Sequence, residues 1–73
     1  MREEGTVRSY GPMNYGFIEG DSGEIYFFMD NEWHLPIKPK PRLRVEFTRF
    51  QHEKGMRAIN IQRVRRKKWE MKS

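Results

Sequence analysis

Cysteine is absent, which excludes a disulfide framework and a thiolate metal site and fits a reducing, cytoplasmic setting. Histidine is scarce: His34 and His52 are the only two, they stand at no ligand spacing, and no metal is expected. Long apolar runs are missing as well. None approaches the ~18 residues of a membrane-spanning helix, and Met1-Arg2-Glu3-Glu4 leads into no apolar stretch, so neither a membrane anchor nor a signal peptide is expected. No acid, base or nucleophile is placed as catalysis would require. Gly11-Pro12-Met13-Asn14-Tyr15-Gly16 lacks the Lys-Ser/Thr ending of a triphosphate-binding loop, and it precedes a strand where that motif needs a helix. The expectation is a protein that is not an enzyme, carries no cofactor and takes no small-molecule substrate.

What is present is a chain of 73 residues, 36% hydrophobic and 14% aromatic. That length has room for one domain, which buries roughly 60% of the surface its unfolded chain exposes. The apolar residues are gathered into alternating runs, which points to a small folded β domain with polar ends. Thr6-Val7-Arg8-Ser9-Tyr10 alternates and stops at Gly11-Pro12, giving a first strand with Val7 inward. A second strand runs from about Tyr15 to Glu19. Gly20-Asp21-Ser22-Gly23 offers a hairpin connection to a third strand, Glu24 to Met29. Residues 30–41 hold Pro36, Pro39 and Pro41, each removing a ladder donor, so a long ordered loop is expected there. Arg42 to Phe50 alternates again, with Leu43, Val45 and Phe47 inward and Arg42, Arg44, Glu46 and Thr48 outward. Gln51 to Gly55 makes a polar turn, and Met56 to Ile61 supplies a fifth strand. Five short strands of this kind suit an antiparallel barrel that removes exposed sheet edges.

Side chains two apart in a strand share a face. Tyr15 and Phe17 share theirs with Glu19, and Tyr26 and Phe28 with Glu24 and Asp30, so the charges predict that all four rings face water. Ile18, Ile25, Phe27 and Met29 are then assigned to the opposite faces. Rings on a wet sheet surface suit unpaired nucleobases. Residues 1–32 carry two basic and seven acidic side chains, residues 33–62 seven and two, and residues 63–73 six and one. Attraction to phosphate must therefore come from the second half. If Lys38, Lys40, Arg42 and Arg44 lie on extended backbone, they form one ridge, and Arg65, Arg66, Lys67 and Lys68 extend the positive charge into the tail.

These runs resemble the cold-shock domain, a five-stranded OB-type barrel that binds single-stranded RNA and DNA. Gly5-Thr6-Val7-Arg8-Ser9-Tyr10 is similar to the family's opening Gly-x-Val-Lys-Trp-Phe. Asn14-Tyr15-Gly16-Phe17-Ile18 is similar to its first ribonucleoprotein motif, Lys-Gly-(Phe/Tyr)-Gly-Phe-Ile. Glu24-Ile25-Tyr26-Phe27-Phe28 is similar to its second, Asp-(Ile/Val)-Phe-Val-His, and Ala58-Ile59-Asn60-Ile61 to its closing Ala-x-Asn-Val. The resemblance covers about residues 5 to 61. It implies stacking residues at Tyr10, Tyr15, Phe17, Tyr26 and Phe28 and a cation at Arg8. Ser9 stands where the family has tryptophan, Phe28 where it has histidine, and Asn14 lies near the place of a missing lysine.

The expected division is an OB domain over residues 1–62 and a basic tail over 63–73, the tail being either disordered or a short helix. Trp33 either extends the stacking platform or pins its loop to the barrel. The function expected is that of a monomeric, sequence-tolerant binder of single-stranded RNA or DNA with an RNA-chaperone role, independent of membranes. The alternative is a protein-interaction module on a barrel that has lost nucleic-acid binding, which the acidic surroundings of the rings favour.

Overall fold

The computed structural model describes residues 2–64. Alternation sets five strands: β1 (Arg2–Tyr10), β2 (Tyr15–Gly20), β3 (Ile25–Met29), β4 (Arg44–His52) and β5 (Gly55–Arg63), with one 3₁₀ turn, Asp30–Glu32. They close into a barrel in the order β1-β2-β3-β5-β4. β1 pairs antiparallel with both β2 and β4, and β4 with β5. The expected all-antiparallel barrel needs one correction: β3 and β5 are parallel. Topology requires it, because β4 runs against β1 and the β4–β5 hairpin reverses the chain again, which leaves β5 pointing the same way as β3.

The interior is built from Val7, Ile18, Tyr26, Phe28, Val45, Phe47, Ala58 and Ile61, each 1% exposed or less. Tyr26 and Phe28 therefore lie inside, not on the wet face, while Ile25 and Met29 lie outside, 47% and 38% exposed. The face of β3 is inverted relative to expectation, and its pairing with β2 explains why. Opposed residues of an antiparallel pair share a face. Buried Ile18 is opposite Tyr26, and buried Gly16 is opposite Phe28. Gly16 has no side chain, and the ring of Phe28 fills that space: a Cβ on Gly16 would stand 2.9 Å from the Phe28 ring. Glu24 and Asp30, whose charges suggested the opposite, lie just outside β3 and do not report its face.

A buried phenol needs a partner for its hydroxyl. Tyr26 donates to Glu3 Oε1 at 2.9 Å, and Ser22 Oγ donates to Glu3 Oε2 at 2.9 Å. Partial burial of Glu3 pushes its carboxyl pKa up, but the bonds from Tyr26 and Ser22 and the nearby Arg49 outweigh that and hold it below the usual 4.5. A carboxyl with a lowered folded-state pKa contributes stability that is present above its unfolded value and lost as pH falls through the folded value. The melting temperature is thus expected to drop as pH is taken below about 4.5, and Glu3→Gln should reduce that drop. An acid limb identical in the variant and the parent would show that other groups set it.

Two strands carry defined irregularities within their length. β1 bulges between Val7 and Ser9. β5 shifts register opposite Glu46 to Thr48, where Asn60 adopts φ 52°, a left-handed conformation that asparagine tolerates better than most residues. Its N–H donates to Glu32 Oε1 at 2.8 Å, and its carbonyl accepts from Arg2 Nη1 at 2.8 Å. That one residue joins β5 to the 3₁₀ turn and to β1.

Candidate nucleic-acid interface

Strand pairing lines up one lateral row on the outer surface: Ser9 opposite Phe17, Phe17 opposite Phe27, Phe27 opposite Arg57, and Arg57 opposite Phe50. Tyr15 sits one step along β2, opposite Met29. Tyr15, Phe17 and Phe27 make a ring cluster, with centroids 5.3 Å apart for Tyr15–Phe27, 5.8 Å for Phe17–Phe27 and 6.2 Å for Tyr15–Phe17. Tyr15 and Phe17 are each 37% exposed. The Arg57 guanidinium lies 5.2 Å from the Phe27 ring centroid, a favourable cation–π arrangement. Phe17, Phe27, His52, Lys54, Met56 and Arg57 border a groove of about 390 Å³. Neither Lys54 nor Arg57 is ion-paired among the described residues.

The other expected stacking residues are placed differently. Tyr26 and Phe28 are core. Tyr10 is half-buried with its ring stacked on Phe28, 6.2 Å between centroids, and its hydroxyl donates to Asp30 Oδ1 at 3.0 Å. Desolvation and then the Asp30 carboxylate raise its pKa. Trp33 stacks on Phe28 at 5.7 Å. Its Nε1 donates to the Ile37 carbonyl at 2.6 Å, so of the two readings for Trp33 the loop-pinning geometry is the one observed.

The cation ridge is corrected too. Arg42 has φ 76° in a turn whose backbone is held to β1, Arg42 N donating to the Val7 carbonyl at 2.8 Å. That turn breaks the extended geometry the ridge needs. Lys38 and Lys40 are exposed on the connection before it. Arg44 is engaged: Nη1 and Nη2 grip Asp21 Oδ1 and Oδ2 at 2.8 and 2.9 Å, and Nη2 also reaches Glu4 at 3.1 Å. The Asp21 hydrogen bonds raise its pKa further. Arg8 pairs with Glu19. Arg65, Arg66, Lys67 and Lys68 lie outside the described residues.

The residues missed by sequence reasoning are Phe27, Lys54 and Arg57. The opposition of Gly16 and Phe28, small against large, was the available signal for Phe27. Arg57 lies next to Ala58, and burial of Ala58 turns Arg57 outward on β5.

No family model and no curated protein matches the sequence. A solved structure of Drosophila Unr CSD456, a run of cold-shock domains, does match, with a TM-score of 0.76 and 26% identity over 93% of this chain. The fold is that of a cold-shock domain. This chain spans 29% of the length of the Unr structure. β3 turns Phe27 and Met29 outward and Tyr26 and Phe28 inward, so Phe27 is the ring of this strand that joins the outer cluster. Among the described residues, no helix is long and apolar enough to cross a membrane.

Proposed function

We propose that this cold-shock domain binds single-stranded nucleic acid, RNA first and DNA second, with low sequence specificity and an RNA-chaperone role. Bases stack on Tyr15, Phe17 and Phe27, and phosphates meet Lys54, Arg57 and the exposed Lys38 and Lys40. The observation that carries the reading is the solvent-facing ring cluster bordered by cations that have no ion-pair partner among the described residues. Each base stacked on an aromatic side chain contributes about 1–3 kcal/mol, so two or three stacks are enough for useful affinity after ordering costs. The barrel over residues 1–62 supplies the platform, and the basic segment 63–73 raises the local attraction to a polyanion.

The reading is tested by fluorescence anisotropy with a labelled oligopyrimidine, free and annealed to its complement. Single strand is expected to bind at least about tenfold more tightly than duplex, because paired bases cannot lie on the rings. Equal affinities would leave charge attraction alone and overturn the stacking scheme. A protein-docking reading is favoured by Ile25 and Met29, aliphatic and exposed on the same face of β3. It predicts no measurable single-strand binding, with a dimer or a complex on sizing.

A further inference from the structure

We propose that the groove across Arg57 from the ring cluster is a second base subsite, in which Phe50 stacks the next nucleotide of the same strand. This rests on the single-strand reading above and adds a site to it. Arg57 divides two surface grooves. One, of about 390 Å³, carries Phe17 and Phe27. The other, of about 460 Å³, is bordered by Met29, Asn31, Glu32, Phe50, Arg57 and Ile59.

Phe50 is 47% exposed. A lone exposed phenylalanine requires no explanation, but Phe50 is not isolated: it closes the same lateral row that contains Phe17, Phe27 and Arg57. Adjacent strands lie about 4.8 Å apart, so two steps from β3 to β4 place Phe50 roughly 10 Å from Phe27 across the sheet. Between them the Arg57 guanidinium carbon lies 5.2 Å from the Phe27 ring centroid, and guanidinium planes stack on bases as rings do.

The charge around the second groove suits the same occupant. Arg57 has no ion-pair partner among the described residues. The acid there, Glu32, already accepts the Asn60 N–H at 2.8 Å. Exposed Asn31 offers an amide able to meet either donor or acceptor edges of a base. A strand that crosses the barrel along the row therefore meets a ring, a guanidinium plane and a second ring in succession.

The test is a length series of labelled oligopyrimidines, from three to eight nucleotides, against the full chain and its Phe50→Ala, Phe50→Trp and Phe27→Ala variants. Phe50→Ala is expected to leave the shortest bound oligomers unaffected and to weaken the longer ones by about fivefold or more, the low end of one lost stack. Phe27→Ala should weaken all lengths. Fluorescence of Phe50→Trp, after subtraction of the parent signal, should be quenched by the longer oligomers only, a readout that holds if Phe50→Ala proves too unstable to titrate. Phe50→Ala without effect at any length, or with the same effect at every length, would overturn the subsite while leaving the Phe27 result in place. No response to Phe27→Ala would remove the single-strand reading and this subsite with it.

Discussion

Gly16→Ala is expected to lower the melting temperature by roughly 12 °C or more, the equivalent of about 3 kcal/mol in a domain of this size. A Cβ at Gly16 would stand 2.2 Å from the Ser9 carbonyl oxygen and 2.9 Å from two atoms of the Phe28 ring. Neither neighbour can yield cheaply. The carbonyl belongs to the paired β1 backbone, and Phe28 is fully buried between Tyr10 and Trp33. Overpacking of a well-filled core costs about 1–3 kcal/mol and sometimes more, and contact with rigid backbone puts this case at the upper end. Gly11 is the internal control, since a Cβ there meets nothing within 4 Å and Gly11→Ala should melt like the parent. Thermal unfolding followed by circular dichroism decides the matter. Equal melting of the two variants would mean that β1 and β2 separate far more easily than their pairing implies.

Phe17→Ala combined with Phe27→Ala is expected to weaken single-strand binding by at least about thirtyfold, because two stacking surfaces of about 1–3 kcal/mol each are removed together. Both side chains point outward, so the double variant should retain its far-ultraviolet spectrum and most of its stability. Tyr26→Phe supplies the contrast. It deletes the hydroxyl that donates to the Glu3 carboxylate, loosening the barrel by about 1.5–3 kcal/mol, the range for a hydrogen bond to a charged group, and it should leave affinity unchanged because the ring never meets a base. If Tyr26→Phe reduced affinity and the outer pair did not, the inverted face of β3 would be wrong.

The alternation of apolar residues and the turns at Gly11-Pro12 and Gly20 to Gly23 made the strands legible, and with the motif around Gly16 they made the fold class legible too. The face of β3 was not. Its periodicity is clear, but the only charges that offer a phase are Glu24 and Asp30, which border the strand without belonging to it. Phase resides in the cross-strand partner, and only pairing reveals that Gly16 leaves room for Phe28. The cation ridge failed for a related reason. A period-two row exists only while the backbone stays extended, and the chain turns at Arg42 before β4 begins at Arg44. Arg44 then turns to acids from β1 and the β2–β3 hairpin, partners far away along the chain. The parallel contact of β3 with β5 is a property of connectivity that no local pattern carries.

The junction of β1 with β4 has a kinetic consequence. Arg2 Nη1 donates to Thr48 Oγ1 at 3.0 Å across a separation of 46 residues. Loop-closure entropy must be met before such distant contacts stabilise anything, which places this small domain among the slower folders of its length. During synthesis the first strand emerges early and then waits, one side unpaired, until the fourth has been made. Over that interval its open margin is a template for pairing with another nascent chain.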